Sequence, residues 1–116
     1  MAVPHPEDGP LMAQPAPTLA ALRHAVAVLV PSRLPEFFES MQQAFVRAGD
    51  EDSVVPIRAF YREWAVVVEL ERYPARARRL HAAEAAMDSE DPEVRAHAVR
   101  EAGEIVRAAH RRVASG

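Results

Sequence analysis

The sequence predicts an all-α fold, a small four- to five-helix bundle behind a disordered or extended proline-rich N-terminal tail. Three observations carry that expectation. Apolar residues recur at spacings of three and four in successive segments. Prolines and capping residues stand where those segments begin or end. The aromatic residues fall only between Phe37 and Tyr73, which centres a core there.

Residues 1–17 hold Pro4, Pro6, Pro10, Pro15 and Pro17 and no apolar period, so burial cannot offset their ordering entropy. They are expected to form a flexible tail, and residues 18–116 a single helical domain. Thr18 is placed to cap a first helix over about 19–30, with Leu19, Leu22, Val26 and Leu29 on one face and Pro31 ending the run. Ser32 is placed to cap a second helix, with Pro35 tolerated in its first turn and Glu36 and Glu39 near the positive end of the dipole. Its apolar arc is Leu34, Phe37, Phe38, Met41, Ala44, Phe45 and Ala48, and Gly49 suits a left-handed C-terminal position.

After the acidic turn Asp50–Ser53, either Ser53 or Asp52 caps a third helix that carries Pro56 in its first turn and meets Pro74 at its far end. Ile57, Phe60, Tyr61, Trp64, Val67 and Val68 make one face, Val66 and Leu70 extend it, and Arg58, Arg62 and Glu69 are left as the solvent stripe. Apolar residues on two sides mark this helix as central. Pro74 opens an alanine-rich fourth helix to about Met87, with Ala77, Leu80, Ala83 and Met87 on its face. Asp91-Pro92-Glu93 restarts the chain into a fifth helix running to about Val113. The second and third helices are expected to pair antiparallel, flanked by the first and fourth.

The chain has 116 residues, 49% of them hydrophobic, enough for one domain that buries about two-thirds of its unfolded surface. Cysteine is absent, which excludes disulfides, thiolate metal sites and thiol nucleophiles. No basic, apolar leader opens the sequence, and its longest aliphatic run, Ala25 to Val30, falls far short of a membrane span. A cytoplasmic location and no membrane partner are therefore expected. All 14 basic residues are arginine, as in the coding bias of a GC-rich genome, so arginine here carries less information than usual. Residues 1–53 and 83–116 are net acidic while 54–82 are net basic, a pattern that suits pairing between helices or a modest basic face.

Site chemistry is sparse. His81 with Glu84 and His97 with Glu101 share helix faces, but the spacing is reversed from Glu-x-x-His and too few acids point inward for a di-metal bundle. No nucleophile elbow, glycine-rich phosphate loop or Ser/His/Asp cluster is present. No catalytic residue, metal ligand or cofactor is assigned, and the protein is expected not to be an enzyme. Trp64 reads as core, because it shares its face with Ile57, Phe60, Tyr61 and Val68.

Two features point to binding. Arg72, Arg76, Arg78 and Arg79 form a patch with Arg107, Arg111 and Arg112 if the fourth and fifth helices end near each other. The fifth helix carries two apolar stripes. Val99, Ala102, Val106, Ala109 and Val113 follow a heptad, whereas Val94, Ala98, Ala102, Ile105, Ala109 and Val113 follow a straighter eleven-residue spacing. One neighbour cannot bury both, so either the helix docks across two helices of its own core or one stripe is left for a partner.

Three stretches, Pro-Ser-Arg-Leu-Pro-Glu-Phe-Phe at 31–38, Ile-Arg-Ala-Phe-Tyr-Arg-Glu-Trp at 57–64 and Arg-Tyr-Pro-Ala-Arg at 72–76, resemble a family of short, uncharacterised actinobacterial proteins. The resemblance covers less than half the chain. It implies a small helical fold without assigned activity, some relatives having the size of antitoxins encoded beside small toxic proteins. It implies no functional residue.

The function expected is a protein–protein interaction module, antitoxin-like or regulatory, that binds another protein or a second copy of itself. Arg76, Arg79, Val99, Val106, Ala109 and Val113 are the candidate partner-binding residues. The alternatives are a nucleic-acid-associated regulator acting through Arg72 to Arg79, disfavoured by the net charge of −3, and a small-molecule-binding bundle with a pocket near Trp64.

Overall fold

The computed structural model describes residues 9–115, and these are all-α. The five α-helices are α1 (Leu19–Leu29), α2 (Leu34–Glu51), α3 (Val55–Glu71), α4 (Pro74–Ala86) and α5 (Pro92–Ser115), with a 3-10 turn at Pro31–Arg33. No strand occurs among the described residues. The expected tail lies partly outside them, at residues 1–8, while residues 9–17 contain no helix or strand. The chain divides into two compact units, one of Met12–Val68 and one whose described residues are 9–11 and 69–115.

In the first unit, Thr18 caps α1 as its position implies, its hydroxyl accepting the Ala21 N–H at 3.2 Å. Leu22, Ala25 and Val26 are fully buried, and α1 packs on α2 and the 3-10 turn. Ser32 does not cap α2. The 3-10 turn leads straight into the helix, whose N-cap position is Arg33 with no side-chain cap bond. Arg33 instead reaches forward, donating from Nε and Nη2 to the two Glu36 oxygens at 2.9 Å each. Those bonds hold the Glu36 carboxyl below its usual range. The small stabilisation of this exposed pair is present at neutral pH and lost as acid titrates Glu36 through that lowered value.

The core of this unit is narrower than the apolar arc of α2. Phe37 and Ala44 are buried, with Phe37 packed 5.2 Å from the Phe60 ring and 5.1 Å, edge-on, from Trp64. Phe38 and Phe45 are 44% and 46% exposed, so the arc wraps beyond what α3 covers. Trp64 is 1% exposed; its indole N–H donates to Ser40 Oγ at 3.3 Å, and the Arg33 guanidinium lies 5.0 Å over its ring. The aromatic centre thus lies where the aromatic stretch implied.

The end of α2 differs from expectation. The helix continues through Gly49 to Glu51, and Asp52 takes the left-handed conformation at φ 50°, ψ 51°. The N–H groups of Asp52 and Ser53 both reach back to Ala48 O, closing the last turn. Aspartate tolerates this region because its short polar side chain bonds locally. Ser53 then starts α3, its Oγ accepting the Val55 N–H at 3.1 Å.

In the second unit, α4 and α5 pack against each other around Leu80, Ala83, Ala102 and Ile105, with Leu70, Met87 and Val106 at the margin. Asp91 caps α5, its Oδ1 accepting the Glu93 N–H at 2.9 Å. Ala98, Ala102, Ile105 and Ala109 are the buried residues of α5, so the straighter of its two stripes is the one that docks.

Gly49 lies in helical backbone, and a β-carbon there meets nothing within 4 Å. Gly49→Ala is therefore expected to stabilise the protein by about 0.5–1 kcal/mol in urea denaturation. A loss of stability would mean that Gly49 needs a left-handed backbone after all.

Candidate functional site

The residues that the sequence left unplaced come together in the second unit, where α3 turns into α4. Pro74 occupies the first turn of α4, and the preceding Tyr73 is extended, at φ −108° and ψ 103°. Arg72 and Arg76 therefore flank Tyr73, each with its guanidinium carbon 4.6 Å from the ring centroid. At this distance both cations interact favourably with the π face.

The group that organises them is Glu69, which is 1% exposed. Its Oε2 accepts from Arg72 Nε at 2.7 Å, and its Oε1 lies 3.3 Å from Arg76 Nη2. Arg76 Nη2 also donates to the Glu69 backbone carbonyl. Glu69 was expected on the solvent stripe of α3 with Arg58 and Arg62. Those two are exposed, but Glu69 is not. A carboxylate can be buried only with partners that replace its water, and two guanidiniums supply them. The signal was present in the sequence: Glu69, Arg72 and Arg76 are spaced three and four apart, as on one helix face.

An open cleft of about 490 Å³ lies beside this cluster, lined by Tyr73, Arg76, Ala108, Arg111, Arg112 and Ser115. The first turn of α4 thus faces the last turns of α5. The proposed meeting of the two arginine groups at this end is realised for Arg76, Arg111 and Arg112. Arg107 lies elsewhere, folded along its own helix over Gly103, where a β-carbon would come within 2.9 Å of its Nη1.

The remaining candidates sort by burial. Arg79 is exposed and lies 3.5 Å from Glu101 across α4 and α5. Val99 is 56% exposed, whereas Val106 and Val113 are half-buried. Ala109 is fully buried and presents no surface to a partner. The valine flank also lies well round α5 from Ala108 and Arg112 by helical register, so the valines and the arginines are separate faces. His81 bonds to Glu71 at 2.9 Å rather than to Glu84, and His97 lies 3.5 Å from Glu101. Among the described residues no three His, Asp or Glu side chains converge as a metal site would require. Among the described residues no helix is long and apolar enough to cross a membrane.

Ala109→Leu is expected to cost about 1–3 kcal/mol in urea denaturation, because added methylenes have no space in the α4–α5 seam. A neutral result would return Ala109 to the surface. No family model, curated protein or solved structure matches this chain.

Proposed function

We propose that this protein is a non-enzymatic interaction module that binds an acidic segment of another protein, in the manner of an antitoxin-like or regulatory partner. The observation that carries the reading is the cleft lined by Arg76, Arg111 and Arg112 around Tyr73. Guanidiniums on two walls suit side-chain carboxylates, which they meet with paired hydrogen bonds, and an aromatic face accepts the apolar stems between them. Arg79 and the exposed Val99 offer further contact on neighbouring faces of the same helix pair.

The nucleic-acid reading loses motive for a particular reason. Of the segment Arg72 to Arg79, Arg72 and Arg76 bond to Glu69, and Arg79 lies against Glu101. The segment by itself therefore lacks the run of uncommitted cations that a phosphate backbone needs, whereas the acidic-peptide reading draws mainly on Arg111 and Arg112. The small-molecule reading is likewise weakened at Trp64, whose ring is enclosed by Phe37, Arg33 and Ser40.

Fluorescence anisotropy with a labelled oligoglutamate peptide tests the proposal. The wild-type protein is expected to bind it at low ionic strength, with affinity falling as salt rises. Arg111→Gln/Arg112→Gln is expected to bind about tenfold or more weakly while keeping its helical circular dichroism. No binding by the wild type, or equal binding by the variant, removes the reading. Tighter binding of a single-stranded oligonucleotide of equal charge would favour the nucleic-acid alternative instead.

A further inference from the structure

We infer that Glu69 is a positioning residue: it fixes the Arg76 guanidinium at the wall of the cleft, ready for a carboxylate ligand, before any ligand arrives. The inference rests on the acidic-partner reading above and specifies how its recognition works.

The placement is over-determined. Arg76 Nη2 is held by two acceptors of the same residue, the Glu69 carbonyl and Glu69 Oε1. The guanidinium carbon sits 4.6 Å from the Tyr73 centroid, so a cation–π contact adds to those bonds. Tyr73 makes a second contact of this kind, with Arg72 at 4.6 Å, and Arg72 is bonded to the other oxygen of the same carboxylate. An arginine on a free surface loses most of its rotamer freedom when it binds; Arg76 has lost it in the folded chain.

The surroundings of Arg76 point the same way. It lines the cleft together with Arg111 and Arg112, so Glu69 holds it beside two further cations. Arg76 Nε is buried and Nη2 is engaged by Glu69, so the quarter of the side chain that stays exposed presents Nη1 to the cleft. A ligand carboxylate accepts a charge-assisted hydrogen bond there from a guanidinium already in place.

Glu69→Gln separates positioning from simple attraction, because the two predict opposite signs. Removing a negative charge beside a cationic cleft strengthens anion binding if charge alone matters. If Glu69 positions Arg76, the same change weakens it. The expected result is oligoglutamate affinity reduced about tenfold, with Arg76 losing its distinct side-chain Nε–H signal in arginine-edited NMR. Arg76→Lys keeps the charge and removes the planar guanidinium that Glu69 holds, and it provides the second arm if Glu69→Gln fails to fold; about the same loss is expected. Equal or tighter binding by either folded variant overturns the inference and leaves the acidic-partner reading standing. Failure of the wild type to bind the peptide overturns both.

Discussion

A carboxylate almost completely removed from water, Glu69, sets the geometry of the α3–α4 corner. An ion in such a place is costly unless its hydration is replaced, and the replacement here comes from within eight residues of chain. Arg72 occupies one oxygen and Arg76 approaches the other, while Tyr73 and Pro74 between them impose the turn. The N-terminal turn of α4 is therefore oriented by a salt-bridge triad. Leu11 N–H donates to the Arg72 carbonyl at 2.7 Å, so the same corner also holds Leu11.

From that corner α4 runs against α5 through small side chains. Ala77, Ala83, Ala98, Ala102 and Ala109 let the two backbones approach, and Leu80 and Ile105 supply the bulk of the apolar contact. A seam of this kind buries little area per residue and leaves its flanks wet. The charged side chains gather instead at the ends of the helices, where Arg76 lines a cleft with Arg111 and Arg112. In the other unit the balance is reversed: Phe37, Phe60 and Trp64 form a dense aromatic centre whose one polar atom, the indole N–H, finds Ser40.

Helix starts were legible where a side chain caps them locally, at Thr18, Ser53 and Asp91, but not at Ser32, where a 3-10 turn feeds the helix directly. The stop of α2 was not, since Gly49 is as compatible with helix interior as with a left-handed end, and Asp52 took that role. Apolar periodicity located the α2 face but overstated its width, because the sequence does not encode how much of an arc one neighbour can cover; Phe38 and Phe45 fall outside it. The two stripes of α5 were visible as alternatives, and only the presence of Leu80 and Ala83 opposite selects Ala98, Ala102, Ile105 and Ala109. Glu69 escaped for a related reason. A glutamate near the end of a helix is usually solvated, and its burial becomes apparent only when Arg72 and Arg76 are seen to close on it.

The coupling between Glu69 and Arg76 is the quantity on which both the corner and the cleft depend. A double-mutant cycle of Glu69→Gln and Arg76→Met, read by urea denaturation, measures it most directly. A cooperative pair gives a coupling of about 1–3 kcal/mol, each single change costing more than its share of the double. Additive losses would mean that the carboxylate and the guanidinium merely lie near each other, and the preset cleft would lose its physical basis.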